Sequence, residues 1–305
     1  MGEAPLSVFL LVGLLALSLL ALFISLWLLR QRRPLVPTLS YVETPSGVRI
    51  HYQDVGRGQP LVFLHGIGAS LYCWSHLLPL LQKDFRLILL DLPGFGASDK
   101  PVSIDYSLEA QCERIMEFLD QLQLKKVTLV GSSMGGALAL WLGKSWPERF
   151  NKLIVLAPAT DPQLVPLPFG RLAGVSKALS WGLSRWMIGQ ALHRVRYRQD
   201  NRSPEDLDRY WAPYDRSPEA VRAFLLATQA ISDPRLPQGL ANLNLPLLVL
   251  WGQRDRMVPR RSIDQLLRVL PQAQLLTHSE AGHHLQEDQP EWTASEIQKF
   301  VRSSV

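Results

Sequence analysis

Cysteine is scarce in this chain, and basic and acidic residues nearly balance. Only Cys73 and Cys112 occur among 305 residues, which is too few for a disulfide framework, and they lack the paired spacing of a metal site. The net charge is only +5. No nucleic-acid-binding motif accompanies this small excess of basic residues, so we predict no nucleic-acid partner.

Charge is absent from one long stretch near the amino terminus. Residues 6–29 carry no charged side chain, and as a helix they would extend about 36 Å, enough to cross the roughly 30 Å hydrocarbon layer of a bilayer. A cleaved signal peptide is the alternative, but no basic residue precedes the run and no small-residue cleavage site follows it. The pattern, with Arg30, Arg32 and Arg33 behind it, predicts a single-pass membrane anchor and a cytoplasmic catalytic domain.

Short apolar segments alternate with helical patterns through most of the remaining chain. Strands are predicted over residues 48–53, 60–64, 86–90, 126–130, 152–156, 245–251 and 274–277. Most of them are apolar throughout, which is typical of a parallel sheet covered by helices on both faces. The sequence therefore predicts an α/β fold with its reactive groups at the carboxyl ends of the strands.

One region interrupts this alternation and predicts an inserted helical cap. It contains several prolines and helical segments rich in Trp and Arg, but no strand pattern. Its apolar residues at helical spacing are Leu172, Val175, Leu179, Leu183 and Trp186. We interpret this stripe as packing onto the core, with contact to an acyl chain or a bilayer as the alternative. The predicted organisation is an anchor and basic flank (1–33), a first core part (34–158) that opens with an extended linker to residue 44, the cap (159–239) and a second core part (240–305).

A Gly-x-Ser-x-Gly pattern follows the strand predicted at 126–130 and precedes an Ala- and Leu-rich helical segment. Its residues are Gly131, Ser133 and Gly135. A sharp strand-to-helix turn holds its central residue in a strained conformation, and flanking glycines avoid Cβ clashes. The turn also places the serine at a helix N-terminus, where free N–H groups face developing negative charge. The pattern predicts a nucleophile elbow at Ser133.

A serine hydroxyl needs a base that is itself oriented by a third group. His283 follows the strand predicted at 274–277, and Asp255 follows the strand predicted at 245–251. The order Ser, Asp, His predicts Ser133 as nucleophile, His283 as general base and Asp255 as its orienting acid. His284 is the rival base; we favour His283 because the preceding glycine allows close approach to the elbow. Asp161 is the rival acid.

The oxyanion formed in acyl transfer requires backbone donors. The N–H of Met134, directly after the predicted nucleophile, is one expected donor. The His65-Gly66-Ile67 segment follows a neighbouring strand, and the N–H of Ile67 is the second expected donor. His65 is then expected to hold this loop in place and not to act as a base.

With these motifs the chain resembles the α/β-hydrolase superfamily, in particular its capped lipases, esterases and carbon–carbon bond hydrolases. The motifs are His65-Gly66-Ile67-Gly68, Asp91-Leu92-Pro93-Gly94-Phe95-Gly96, Gly131-Ser132-Ser133-Met134-Gly135-Gly136, Trp251-Gly252-Gln253-Arg254-Asp255 and Gly282-His283. They extend from about Val48 to the end of the chain. Together with the predicted anchor, the cap resembles membrane-bound monoacylglycerol-lipase-like enzymes.

This resemblance implies a membrane-anchored serine hydrolase that cleaves small-molecule or lipid carboxylic esters through an acyl-enzyme, without metal or organic cofactor. Carbon–carbon bond hydrolysis, acyl transfer and cofactor-free perhydrolysis are alternatives on the same residues. Haloalkane dehalogenase and epoxide hydrolase chemistry is disfavoured, because those relatives carry aspartate at the position of Ser133. A catalytically silent binding or scaffold protein is the alternative from another class.

Overall fold

A single mixed sheet organises the computed structural model, which describes residues 40–165, 169–197 and 203–303. The strands of this part of the chain are β1 (Ser40–Glu43), β2 (Arg49–Gly56), β3 (Pro60–Leu64), β4 (Arg86–Leu90), β5 (Val127–Ser132), β6 (Phe150–Leu156), β7 (Leu247–Gly252) and β8 (Gln274–His278). Their order across the sheet is β1-β2-β4-β3-β5-β6-β7-β8. β1 and β2 pair antiparallel, β2 also runs antiparallel to β4, and the remaining pairs are parallel.

Helices connect most of the parallel strands. The α-helices of the described residues are α1 (Leu78–Leu81), α2 (Leu108–Gln121), α3 (Met134–Ser145), α4 (Ser176–Gly182), α5 (Arg185–Val195), α6 (Pro204–Trp211), α7 (Pro218–Ile231), α8 (Arg260–Val269), α9 (Leu285–Asp288) and α10 (Pro290–Arg302). Short 3₁₀ helices lie at Leu71–Trp74, Pro147–Arg149, Pro162–Leu164, Phe169–Val175, Ala212–Tyr214 and Gln238–Leu240.

The predicted fold class is confirmed, and burial of the strands explains why the sequence revealed it. Every residue of β5 and of β7 is buried. Parallel strands covered on both faces must be apolar along their whole length, so they appear in the sequence as continuous apolar runs. β1 lies in the segment predicted as a linker. This four-residue edge strand alternates between half-buried and exposed positions, and its pairing with β2, not its own pattern, identifies it as a strand.

The region predicted as the cap contains α4 to α7 and short 3₁₀ helices, with no strand among its described residues, and its boundaries stay a prediction. The interpretation of its apolar stripe as a packed face is wrong for four of its five residues; the fifth, Leu183, is half-buried and packs against a buried cluster that includes Ala173 and Tyr214. Leu172, Val175, Leu179 and Trp186 are all exposed, and the Trp186 side chain is 71% exposed. The small residues Ala173, Ser176 and Ser180 face inward instead. Small side chains let these segments lie close to α7, and this close packing turns the larger side chains outward.

The predicted membrane localisation is corrected by the structure. Across the described ranges, no helix is long and apolar enough to cross a bilayer. α2 and α7 each contain 14 residues, which corresponds to about 21 Å against a hydrocarbon layer of roughly 30 Å. Residues 6–29, to which the prediction was assigned, lie outside the described residues.

Candidate active site

Ser133 lies directly after β5 and immediately before α3, at the carboxyl edge of the sheet. Its φ and ψ angles are 54° and −116°; a non-glycine residue keeps a positive φ only when the surrounding structure imposes it. The Ser133 backbone N–H donates to the carbonyl oxygen of Leu156, at the end of β6, over 2.9 Å. A Cβ at Gly131 would overlap the Gly135 carbonyl oxygen. The glycine therefore permits the sharp strand–turn–helix geometry expected of a nucleophile elbow.

Asp255 and His283 come together from the loops that follow β7 and β8. Oδ2 of Asp255 lies 2.8 Å from Nδ1 of His283, and the exposed fractions of the two side chains are 0% and 5%. The other carboxylate oxygen of Asp255 accepts the backbone N–H groups of Met257 and Val258 over 2.7 and 2.9 Å. The carboxylate is thus fixed on one side, while its other oxygen orients the imidazole with Nε2 directed away from it.

Ser133, the third member of the predicted triad, lies at the same edge of the sheet but forms no hydrogen bond with the His283 imidazole. Within the described part of the chain, no hydrogen bond joins Ser133 Oγ to His283. In free enzymes catalytic hydrogen bonds are often long or poorly aligned, and they tighten when substrate binds. The Asp255–His283 half of the triad is therefore formed, and the nucleophilic role of Ser133 stays a prediction.

Two unsatisfied backbone donors lie around Ser133. The backbone N–H groups of Ile67 and Met134 donate no hydrogen bond to any described residue. Met134 is the first residue of α3, so its N–H is one of those that a helix cannot satisfy internally. A Cβ at Gly66 would lie 3.7 Å from Ser133 Oγ, which shows how closely the Ile67 loop approaches the serine. These donors suit the predicted oxyanion hole, whose function stays a prediction.

His65 ties this loop to the neighbouring one. Its Nδ1 lies 2.8 Å from the Gly66 carbonyl oxygen, and its Nε2 accepts the backbone N–H of Leu92 over 2.9 Å. Complete burial lowers the pKa of His65, because a charged ring would lose its hydration. A neutral ring that donates through Nδ1 and accepts through Nε2 fits both bonds. This geometry suits the loop-fixing role expected of His65.

The rival candidates have other partners. Asp161 accepts from the Ser262 hydroxyl over 2.7 Å and from the Gln163 backbone N–H over 3.0 Å. His284 Nδ1 lies 2.6 Å from a carboxylate oxygen of Glu287. His284 is thus paired with a carboxylate other than Asp255, Asp161 binds no histidine among the described residues, and the choice of His283 and Asp255 stays a prediction.

The expected role of Gly282 needs a different explanation. The atoms nearest to a Cβ at this position belong to Val195, Tyr197 and Asp288, and none belongs to the elbow. Gly282 therefore allows the histidine loop to approach the segment that follows α5, which lies within the predicted cap.

Sequence reasoning missed a buried ionic cluster beside His283. Arg196 binds Glu287 through two hydrogen bonds of 2.6 and 2.7 Å and Asp206 through one of 3.0 Å. Burial alone would raise the pKa of Glu287, but His284 and Arg196 outweigh it and lower that pKa to about 2. Glu287 and Asp288 follow His283 closely in the sequence. These two adjacent acidic residues were the available sequence signal for an ionic cluster. Arg196, the partner of Glu287, is 91 residues away from it in the sequence, and no sequence pattern indicated this pairing.

No group of three or more His, Cys, Asp or Glu side chains placed to hold a metal ion occurs in residues 40–165, 169–197 or 203–303. The polar side chains at this sheet edge include those of a serine, a histidine and an aspartate, Ser133, His283 and Asp255. Such an arrangement is suited to attack by a serine hydroxyl on a carbonyl carbon.

The fold and this site define an α/β hydrolase. The family model described as "alpha/beta hydrolase fold" matches residues 59–290, and the chain therefore belongs to this family and is a hydrolase.

Relatives and solved structures extend this likeness over most of the chain. An uncharacterized hydrolase, YugF of Bacillus subtilis, is 28% identical over 85% of this chain and 96% of its own length. The 2-hydroxy-6-oxononadienedioate/2-hydroxy-6-oxononatrienedioate hydrolase of Comamonas testosteroni is 31% identical over 79% of this chain and 87% of its own. The solved structure of the meta-cleavage product hydrolase CumD from Pseudomonas fluorescens, an S103A mutant, is 26% identical, covers 86% of this chain and 97% of its own, and has a TM-score of 0.70.

Proposed function

We propose that this protein is a serine hydrolase that cleaves small carboxylic esters, with Ser133 as nucleophile, His283 as general base and Asp255 as the group that orients it. The observation that carries the proposal is the buried 2.8 Å contact between Asp255 and His283 at the sheet edge where the strained Ser133 also lies. A positive φ at a non-glycine residue is strained, and such strain is concentrated at functional sites, which supports a catalytic role for Ser133.

The proposed cycle begins when His283 Nε2 takes the proton of Ser133 as Oγ attacks the ester carbonyl carbon. The carbonyl oxygen becomes an oxyanion, which the N–H groups of Ile67 and Met134 stabilise. The tetrahedral adduct collapses to an acyl-enzyme, and His283 returns the proton to the departing alcohol. Water, deprotonated by the same imidazole, then attacks the acyl carbon, and His283 returns this proton to Ser133 Oγ as the bond between Oγ and the acyl carbon breaks and the carboxylic acid leaves.

One candidate counter-ion for an anionic substrate is already paired within the protein. The buried guanidinium next to the histidine loop, that of Arg196, already binds the carboxylates of Glu287 and Asp206. It is therefore not placed to act as the counter-ion of an anionic substrate. The earlier preference for lipid esters depended on the predicted membrane anchor, and the proposal is accordingly limited to small esters.

A carbon–carbon bond hydrolase is the second candidate, and the relatives favour it. The Comamonas testosteroni relative, at 31% identity, is named as a hydrolase of 2-hydroxy-6-oxononadienedioate, a substrate with two carboxylate groups. Serine, histidine and aspartate can serve that reaction too, provided that a proton is delivered to a carbon leaving group. Such a substrate needs cationic partners, which is the feature that distinguishes the two candidates.

A paired substrate panel tests the proposal. p-Nitrophenyl esters of increasing chain length and a 2-hydroxy-6-oxo-dienoate are given to the wild type and to Ser133→Ala. We expect ester turnover that disappears in the variant, together with labelling of the wild type, but not of Ser133→Ala, by a fluorophosphonate probe. Turnover of the dienoate alone would favour the second candidate. Labelling that persists in Ser133→Ala would exclude Ser133 as the nucleophile.

A further inference from the structure

The loop that carries His283 is bound to the segment that follows α5. Val195 is the last residue of α5, and its carbonyl oxygen accepts the backbone N–H groups of His283 and His284 over 2.8 and 3.1 Å. The last carbonyls of a helix have no partner within it, so these two bonds satisfy the helix end and hold the histidine loop at the same time.

A carboxylate completes this connection from the other side. Oδ2 of Asp288 accepts the N–H of Gly282 over 2.8 Å and the N–H of Tyr197 over 2.9 Å. Gly282, immediately before His283, and Tyr197, immediately after Arg196, thus donate to the same carboxylate oxygen. The two backbones lie so close that a Cβ at Gly282 would lie 2.9 Å from the Tyr197 nitrogen.

The Arg196 side chain lies at the centre of this connection. Its guanidinium binds both carboxylate oxygens of Glu287 and one oxygen of Asp206, and its side chain is only 3% exposed. The same Glu287 oxygens accept from the Tyr210 hydroxyl over 2.7 Å and lie 2.6 Å from His284 Nδ1. A paired, hydrogen-bonded guanidinium of this kind fixes the relative positions of all its partners.

The cluster also reaches toward the oxyanion side of the site. The Tyr72 hydroxyl donates to Asp206 over 2.6 Å, and Tyr72 lies in the 3₁₀ helix that follows the Ile67 loop. Burial, reinforced by the bond to Asp206, raises the pKa of the Tyr72 hydroxyl, which therefore keeps its proton and remains a donor. Arg196 thus links the histidine loop, through Glu287, to the 3₁₀ helix that follows the Ile67 loop, through Asp206 and Tyr72.

We propose that Arg196 is a positioning residue for the general base: through Glu287 and the adjoining Val195 and Tyr197 backbone groups, it holds the loop of His283 in the orientation that Asp255 and Ser133 require. This role rests on the proposed function, since it takes His283 as the base. In this proposal Arg196 acts through Glu287 and takes no part in the reaction itself.

The test compares Arg196→Gln and Arg196→Lys with Arg185→Gln. Arg185 forms an exposed ion pair with Asp208 between α5 and α6, in the same region of the chain but without contact to the histidine loop, so it is a matched control. Lysine keeps the positive charge, but it cannot bind both oxygens of Glu287 as a guanidinium does. It is also the variant to use if the glutamine substitution prevents folding.

Two measurements are made on the full-length chain. Steady-state kinetics on a p-nitrophenyl ester separate kcat from KM, and hydrogen–deuterium exchange follows the backbone of residues 281–288. For Arg196→Gln we expect kcat to fall about 10²-fold with little change in KM, because a displacement of about 1 Å at a catalytic group costs that much. We expect exchange in 281–288 to accelerate about tenfold while β5 and β7 stay protected. Arg196→Lys should recover part of both effects, and Arg185→Gln should match the wild type.

The outcomes distinguish this role from a general structural one and from failure of the proposed function. Wild-type exchange in 281–288 and wild-type kcat in the folded Arg196 variants would overturn the proposal. So would faster exchange spread equally over the whole sheet, since that indicates overall destabilisation. If the wild type neither labels with fluorophosphonate nor turns over ester, the proposed function fails, and exchange in 281–288 still determines whether Arg196 positions the loop.

Discussion

Oδ2 of Asp255 and Nδ1 of His283 lie 2.8 Å apart, and both side chains are almost completely buried. The carboxylate can therefore hold one imidazole tautomer and stabilise the charged ring that forms during catalysis. Replacing Asp255 by asparagine keeps the shape but favours the wrong tautomer, so we expect kcat on the active ester to fall about 10⁴-fold.

Asp161→Asn is the matched control for that substitution. Asp161 accepts from the Ser262 hydroxyl and the Gln163 N–H, and an amide oxygen can still accept one of these bonds. We expect kcat close to that of the wild type. Loss of activity in Asp161→Asn with near-normal rates in Asp255→Asn would transfer the acid role to Asp161.

The buried His65 should make stability depend on pH near neutrality. Burial lowers the pKa of its imidazole below the ordinary value of 6.5, so below that pH the unfolded chain takes up a proton that the folded chain resists. The free energy of unfolding should therefore decrease as pH falls through 6.5, by at most about 1.4 kcal/mol per pH unit from this residue.

The measurement compares urea unfolding of the wild type and His65→Gln from neutral to mildly acidic pH. Other histidines titrate in both proteins, so the difference between the two curves isolates His65. We expect the stability advantage of the wild type to shrink as the pH falls. An advantage that grows on acidification would contradict a buried neutral ring.

Glu287 should make stability depend on pH in the acid range. Its folded pKa of about 2 lies below the ordinary 4.5, since His284 and Arg196 outweigh the effect of burial. The stabilisation is complete above 4.5 and is lost as pH falls toward 2, with an amplitude of about 3 kcal/mol. In Glu287→Gln this acid dependence should disappear, and breaking the buried pair should reduce the free energy of unfolding at pH 7 by about 3 kcal/mol.

Asp264→Asn serves as the control for the Glu287 substitution. Asp264 pairs with Arg260 on the exposed side of α8, and an exposed pair contributes about 0.5 kcal/mol. Denaturant unfolding of the three proteins at several pH values makes the comparison. Equal losses in Glu287→Gln and Asp264→Asn would show that the buried cluster has no special effect on stability.

The turn at Ser133 should not tolerate a methyl group at Gly131. A Cβ there would overlap the Gly135 carbonyl oxygen, so the elbow cannot keep its geometry. For Gly131→Ala we expect a loss of about 3 kcal/mol in the free energy of unfolding and loss of fluorophosphonate labelling. Gly174→Ala is the control, because a Cβ at Gly174 meets no atom within 4 Å, and its effect should stay within about 0.5 kcal/mol. Normal labelling of Gly131→Ala would show that the turn can relax.

The histidine loop illustrates how far prediction from sequence reached. Each triad candidate lies in the loop that follows a predicted strand, and parallel strands end at one edge of a sheet, so it could be expected that Ser133, Asp255 and His283 lie at that edge. The prediction that Gly282 allows close approach to the elbow was incorrect. A glycine indicates that another backbone segment comes close, but the local sequence does not show which segment it is. The exposed Trp186 is a similar case, since helical spacing identifies an apolar face without showing whether anything covers it.

The sequence by itself determined the α/β architecture, the elbow and the candidate catalytic residues, because each is encoded within a few neighbouring positions by strand burial, glycine placement and helix propensity. Only the tertiary structure revealed that Arg196 pairs with Glu287, that small residues face inward along α4, and that β1 joins the sheet. Each of these depends on contacts between distant parts of the chain, and the free energy of such contacts comes from burial and pairing that no local pattern records.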